Sequence, residues 1–324
     1  MSSIEMIHAA ASRAKGVVRR TPLLSSPFLD EIAGRRIFVK AECLQHTGSF
    51  KFRGAWSALS GMAANERAKG VLAFSSGNHA QGVALAAKMH KVPAVIIMPS
   101  DAPRQKIDNT RALGAEVVLY DRAGEDRNAL GENLQKQRGL VLVKPFDNAF
   151  VIAGQGTTGL EIAKQANLQG IEKAQVLVPC GGGGLTAGIA LALNENAPEM
   201  TVRPCEPVGF DDTIRSLKSG AIEENAQKSG SICDAIITPS PGKMTFPIMR
   251  SLCQPGVAVR ESECLKTMQH AFARLKIVVE PGAAVALATA LFHSDTLPEG
   301  DIIAVVSGGN VDAEMFQRAL DISI

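Results

Sequence analysis

The run Val176-Leu177-Val178-Pro179-Cys180, followed by Gly181-Gly182-Gly183-Gly184-Leu185 and then by Thr186 to Leu193, reads as strand, glycine loop and helix. The first part is a short, continuous apolar run of the length a buried strand needs. Four consecutive glycines let the backbone fold tightly round an anion, and the N-terminus of the following helix adds partial positive charge. A merely flexible turn is the plainer alternative. No lysine follows in the Walker pattern and the G-x-G-x-x-G spacing is absent, which argues against ATP and against a dinucleotide. The anion is therefore expected to be the phosphate of a smaller cofactor.

Outward from this unit the same alternation repeats. Strands are expected at about 36–41, 71–75, 93–98, 115–120, 140–143, 175–179, 201–205 and 301–306, and helices at about 3–16, 78–90, 103–113, 151–166, 185–196, 261–275 and 312–321. That pattern predicts an α/β protein with largely parallel sheets. Pro103 falls in the first turn of its helix, where a missing N–H is tolerated. Residues 55–145 form a strand–helix series of their own. They are expected to be a small mobile domain inserted into a large domain made of 1–54 and 146–324. The stretch 221–244 is the least regular.

Composition narrows the class. The chain has 324 residues, 46% hydrophobic and 20% charged, which is the balance of an ordinary globular protein. Net charge is only +2, and with one Trp and one Tyr nothing suggests a nucleic-acid groove. The start, MSSIEMIHAAASRAKG, carries Glu5 and lacks a long apolar core, so it does not read as a secretory signal. The longest apolar run, Val92 to Met98, is too short to cross a bilayer. Six cysteines (43, 180, 205, 233, 253, 264) form no C-x-x-C pair and are expected to be buried thiols in a reducing compartment, the cytoplasm.

Three more loops have chemical character. In His46-Thr47-Gly48-Ser49-Phe50-Lys51-Phe52-Arg53-Gly54 a strand feeds a loop and then a helix beginning near Lys51. A lysine at a helix N-terminus has its charge disfavoured by the dipole, which suits an amine nucleophile; a solvated surface lysine is the alternative. Ser75-Ser76-Gly77-Asn78-His79-Ala80-Gln81-Gly82 lies past the carboxyl end of a strand, where open α/β sheets bind ligands. A carboxylate fits there, unless one serine simply caps the helix. Val306-Ser307-Gly308-Gly309-Asn310-Val311 repeats the arrangement, with Ser307 able to meet a ring nitrogen or to cap the final helix.

Together the segments TGSFKFRGA, SSGNHAQG, IAGQGT, GGGGL and SGGN resemble, in that order and over nearly the whole chain, the fold-type II pyridoxal 5'-phosphate (PLP) enzymes, specifically the serine/threonine dehydratase and serine racemase family. The resemblance implies two open twisted sheets of largely parallel strands with flanking helices, the larger domain binding PLP. It implies that Lys51 carries the cofactor, with Phe50 beside its ring and Asn78 at its phenolic oxygen. Gly181, Gly182, Gly183, Gly184 and Leu185 would hold its phosphate, and Ser307 would face its pyridine nitrogen. The implied activity is β-elimination from a small β-hydroxy amino acid, giving a 2-oxo acid and ammonia, with the freed Lys51 as base.

The same resemblance makes Ser75, Ser76, Gly77, Asn78 and His79 substrate ligands. Ser76 stands where serine racemases have serine and many threonine deaminases have alanine, so a hydroxyl opposite Lys51 implies some racemase activity or use of a D-substrate; a serine or aspartate-type amino acid racemase of the same family is the alternative function. Arg127 matches a position on the substrate side. In the racemase group the loop Glu206 to Asp212 holds a divalent cation (Mg, Ca or Mn), here through Glu206, the carbonyl of Phe210 and Asp212; a loop stapled by salt bridges is the alternative. A homodimer is usual for the group. The run QHTGSFKFRGAWSAL is closer to bacterial 3-hydroxyaspartate dehydratases than to threonine deaminases. A second substrate carboxylate needs a donor, and His46, Arg127 and Lys243 are the candidates. β-Replacement is the nearest competing chemistry, but relatives of that kind usually carry an acidic residue after the lysine and a TSGNTG-type loop, which Phe52-Arg53 and His79-Ala80-Gln81 do not match. A non-catalytic PLP-binding protein is the other competitor, and Lys51 speaks against it.

Overall fold

A computed structural model of the chain describes residues 2–102, 104–121 and 123–323. Its strands are β1 (Leu23–Ser25), β2 (Ile37–Ala41), β3 (Val71–Phe74), β4 (Ala94–Pro99), β5 (Glu116–Tyr120), β6 (Val141–Leu142), β7 (Ala174–Pro179), β8 (Met200–Pro207), β9 (Val257–Val259) and β10 (Asp301–Val306). Six of them form a sheet in the order β1-β2-β10-β7-β8-β9, and four form a second in the order β5-β4-β3-β6. Among the described residues every pairing between these strands is parallel except β1 with β2. This is the two-sheet α/β architecture that the sequence implies.

Burial explains why these runs are strands. Parallel strands covered on both faces read as continuous apolar segments, and β10 is buried at every position but its first. Ile302, Ala304 and Val306 point into one core with Leu29, Leu265 and Met268, while Ile303 and Val305 point into another with Ile162, Ile189 and Leu193. The first core surrounds the helix Pro281–Phe292, whose residues are buried from Pro281 to Leu291. A helix apolar on all sides belongs in the interior. In the smaller sheet Val71, Ala73, Ile96 and Met98 face Val83 and Ala87, and Leu72, Val95 and Ile97 face Tyr120 and Leu134.

The three-residue strands β1 and β9 lie outside the expected set, because so short a run carries no readable period. The helix expected at 103–113 spans Arg104–Ala112, and Pro103 lies outside the described residues. The helix expected at 261–275 runs from Glu261 to His270, and the chain then widens into a π-turn, Ala271–Leu275, that ends at Lys276 with φ of +60°. All six cysteines are free, five of them buried and Cys253 half-buried. Among the described residues no helix is long and apolar enough to cross a membrane.

Strand order brings the chemistry together. Because β2, β10 and β7 are parallel neighbours, the loops leaving their carboxyl ends emerge side by side. These are the approach to Lys51, the Ser307 loop and the glycine loop. The loop after β3 supplies Ser75, Ser76 and Gly77 from the other sheet. Helix Lys51–Gly61 lies almost backbone to backbone on helix Ala149–Leu168, since a Cβ on Gly154 would fall 2.5 Å from Ser57 Cβ.

Candidate active site

Lys51 opens its helix after an unusual approach. Thr47 has φ of +58°, a left-handed conformation that is costly for a β-branched residue. The loop after β10 holds it there. Asn310 Nδ2 donates to Thr47 O at 2.7 Å, Gly309 N–H to Gly48 O at 2.9 Å, and Phe50 N–H to Ser307 O at 3.0 Å. Arg53 anchors the helix from below. Its buried guanidinium grips Glu42 (Nε to Oε2, 2.7 Å; Nη2 to Oε1, 2.8 Å) and Glu161 (Nη1 to Oε1, 2.8 Å), and Lys40 Nζ joins Glu161 at 2.6 Å.

The Lys51 amine donates to Pro145 O at 3.1 Å and lies 5.1 Å from the Phe50 ring centroid. Burial lowers its pKa to about 8, against the opposing pull of Glu280. A lysine so placed is partly neutral near physiological pH, as a nucleophile must be.

It faces a cleft of about 640 Å³ lined also by Phe50, Ser75, Ser76, Gly77, Asn78, His79, Arg127, Gly181, Gly182, Gly183, Gly184, Leu185 and Ser307. The serine-capping alternative for the loop after β3 does not hold. Helix Asn78–His90 has Gly77 as its N-cap and no side-chain cap, and Ser75 Oγ accepts from Gly77 N–H at 3.2 Å. Nor does Ser307 cap the last helix, where Asp312 accepts from Met315 N–H. His79 is buried with Nε2 2.8 Å from Val143 O. Burial and the charge of Lys51 push its pKa down to about 3, so it lines the cleft as a neutral ring.

Two expectations are corrected. His46 does not line the cleft: its Nε2 lies 2.9 Å from Val17 O and its ring packs edge-on against Phe52. Lys243 is solvent-exposed and also absent from the lining. Nearness in sequence to the lysine or to a loop does not fix the direction in which a side chain points.

The structure adds residues that sequence reasoning left without a role. Glu280 accepts from Asn78 Nδ2 at 2.7 Å, while Asn78 Oδ1 accepts from Asn310 Nδ2 at 2.7 Å. Asn78 Nδ2 keeps a second N–H. Burial raises the Glu280 pKa to about 7. The signal was legible, since Glu280 stands between Val278-Val279 and a proline-initiated apolar helix. Gln155, from the IAGQGT segment, lines the cleft with both amide atoms buried and unpartnered among the described residues.

The loop after β8 is arranged differently. Glu206 accepts from Thr213 N–H at 3.1 Å and Ile214 N–H at 2.8 Å. Asp212 Oδ1 accepts from Asn225 Nδ2 at 2.6 Å, and Asp212 Oδ2 is buried without a partner. Salt bridges here belong instead to Asp211 and Glu223, both with Arg215. Among the described residues no three His, Cys, Asp or Glu side chains converge as a metal cluster.

A glycine loop sharing one cleft with a lysine of lowered pKa suits a phosphorylated carbonyl compound that the amine binds covalently. The chain belongs to the pyridoxal-phosphate dependent enzyme family, whose profile matches residues 14–308, and its architecture is the fold-type II one. It is 40% identical over 320 residues to the L-threo-3-hydroxyaspartate ammonia-lyase of Pseudomonas sp, covering 99% of each chain. Among solved structures it is similar to the T.th. threonine deaminase (43% identity, TM-score 0.90, 96% of this chain and 99% of that one). It is also similar to maize serine racemase (34% identity, TM-score 0.92, 98% and 97%).

The residues present fit PLP. A Cβ on Gly181 would sit 2.7 Å from Ile236 O, one on Gly182 would enter the Phe146 ring, and Gly183 has φ of +84°. Only glycines therefore let this backbone turn under a phosphate. The N–H groups of Gly181, Gly182 and Gly183 donate to no backbone carbonyl among the described residues, and the unpartnered Gln155 amide lies beside them, its Oε1 2.5 Å from where a Gly184 Cβ would be.

Proposed function

We propose that the protein is a PLP-dependent ammonia-lyase that dehydrates and deaminates a small β-hydroxy amino acid, 3-hydroxyaspartate in preference to L-serine or L-threonine. The observation that carries this reading is the half-buried Lys51 amine sharing one cleft with the glycine cup and the uncapped N-terminus of helix Asn78–His90. The names of the relatives support it.

In this reading Gly181 to Leu185 hold the phosphate of PLP, Phe50 packs beside its ring, the second N–H of Asn78 Nδ2 donates to its phenolic oxygen, and Ser307 Oγ faces its ring nitrogen. What PLP supplies when bound is withdrawal of electrons from the substrate Cα. Ser75, Ser76, Gly77 and the helix start at Asn78–His79 receive the α-carboxylate, whose charge the helix dipole favours. Lys51 Nζ takes the Cα proton. The β-hydroxyl leaves as water, the released enamine tautomerises to an imine, and water returns when that imine is hydrolysed, so the net products are one 2-oxo acid and one ammonia. A neutral serine rather than an acid at Ser307 keeps electron withdrawal modest and favours prompt elimination.

Ser76 supports a side activity. The residue lines the cleft, and proton delivery from its hydroxyl, opposite Lys51, would invert Cα. Glu206, the carbonyl of Phe210 and Asp212 are proposed to hold a divalent cation, Mg, Ca or Mn. The unpartnered Asp212 Oδ2 and the all-oxygen set support this. A homodimer is part of the same reading, supported by the exposed Phe28, Ile32 and Phe272, as is a cytoplasmic location, supported by the free thiols. Residues 55–145 are proposed to close on the rest of the chain when substrate binds.

Borohydride reduction of the holoenzyme followed by peptide mapping tests the core of the proposal. The reduced cofactor is expected on the peptide holding Lys51; its recovery on another lysine would refute the assignment.

A further inference from the structure

Among the cations that line the cleft, Lys106 is distinctive. It rises from helix Arg104–Ala112, and its ammonium is paired with Asp234 Oδ2 at 3.5 Å, with side-chain exposures of 29% and 67%. Asp234 belongs to the irregular segment between helices Asp212–Ser219 and Thr245–Leu252 and also lines the cleft. The pair therefore bridges the unit built on the smaller sheet and the unit built on the larger one. Lys51 is committed to the reacting centre, Lys228 is exposed, and Arg127 is exposed and lies 5.2 Å over the Phe74 ring. Among the described residues that line the cleft, Lys106 is the half-buried cation left for an incoming anion.

An ion pair this long and exposed contributes little, so its partner is readily exchanged. The Asp234 carboxylate also marks a place in the cleft where a carboxylate is electrostatically welcome. Both charges reach the Glu280 carboxyl, Asp234 raising its pKa and Lys106 lowering it. The pair thus sits within range of the catalytic network and not on a remote rim.

We infer that Lys106 selects a dicarboxylic substrate: its ammonium exchanges Asp234 for the side-chain carboxylate of the bound amino acid. The inference rests on the ammonia-lyase reading. For a monocarboxylic substrate Lys106 stays with Asp234 and contributes no binding.

The test uses holoenzyme carrying Lys106→Met, Lys106→Arg or Asp234→Asn. kcat/KM is measured with 3-hydroxyaspartate and with serine, and the Kd of succinate, a four-carbon dicarboxylate without an amine, is measured by calorimetry. Lys106→Met should lower kcat/KM for 3-hydroxyaspartate about tenfold more than for serine, chiefly through KM, and should weaken succinate about tenfold. Lys106→Arg should retain most of the selectivity, and Asp234→Asn should bind succinate as tightly as wild type or tighter. Equal losses for both substrates, or unchanged succinate affinity in Lys106→Met, would overturn the role of Lys106 while leaving the lyase reading intact. Absence of ammonia release by wild type from either substrate would instead overturn the lyase reading, and the succinate measurement would still decide whether Lys106 receives a carboxylate.

Discussion

Asn78 Nδ2 and Glu280 Oε1 are 2.7 Å apart although the residues are 202 positions apart in the chain. The bond joins the helix that follows β3 in the smaller sheet to the residue that starts the most deeply buried helix under the larger one. It makes Glu280 part of the site without exposing it to bulk water.

Glu280 gives a pH-dependent signature. Burial raises its carboxyl to about 7, Asp234 adding to the rise and Asn78, Lys106 and Lys51 opposing it. The folded chain then binds this proton more tightly than the unfolded chain, where the pKa is that of an ordinary glutamate. Relative to Glu280→Gln, the wild type should be most stable below about pH 4.5, lose stability as pH rises to about 7, and level off above it. The loss should be about 1–3 kcal/mol. Denaturant unfolding of both cofactor-free proteins at pH 5 and 8 measures it, and a pH-independent difference would contradict the assignment.

Gly183→Ala should weaken cofactor binding without unfolding the protein. The residue has φ of +84°, and its Cβ would meet Met249 and Thr245, so the turn under the phosphate must shift. A rise of at least about tenfold in the PLP Kd is expected, corresponding to about 1.4 kcal/mol. Fluorescence titration of the cofactor-free protein reads it; an unchanged Kd would mean that the phosphate lies elsewhere.

Arg53→Met should be among the most destabilising single changes, because it leaves buried Glu42 without its direct countercharge and Glu161 with Lys40 alone. Breaking a buried pair typically costs about 3–5 kcal/mol. Arg53→Lys should recover only part of that loss, since an ammonium cannot bridge two carboxylates bidentately. Thermal unfolding of the three proteins decides it, and full rescue by lysine would contradict the geometric argument.

The Lys51 amine, lowered to about 8 by burial, should control loading of the cofactor. Only the neutral amine attacks a carbonyl, so the rate of PLP incorporation into cofactor-free protein should rise with pH to a midpoint near 8. Stopped-flow absorbance across pH 6–10 follows it. A midpoint near 10.5, the ordinary lysine value, would show that the site does not perturb this residue.

What was legible in the sequence is what local chemistry dictates. The strands β2, β3, β4, β5, β7, β8 and β10 carry apolar runs long enough to declare themselves, and the loops after β2, β3, β7 and β10 carry glycines and hydroxyls in patterns a helix or strand interior would not keep. Direction was not legible. His46 precedes the lysine loop yet turns to Val17, while Lys106, far from every motif, points into the cleft. Long-range partners were equally hidden, as with Arg53, Glu42 and Glu161, whose pairing exists only once helix Ala149–Leu168 is packed against helix Lys51–Gly61.

The most direct test of the central claim is a substrate panel. Holoenzyme is incubated with 3-hydroxyaspartate, L-serine and L-threonine, and 2-oxo acid and ammonia are quantified together. The account predicts the two products in a one-to-one ratio, kcat/KM highest for 3-hydroxyaspartate, and no turnover by Lys51→Ala. Ammonia-free turnover, or undiminished release by Lys51→Ala, would contradict it.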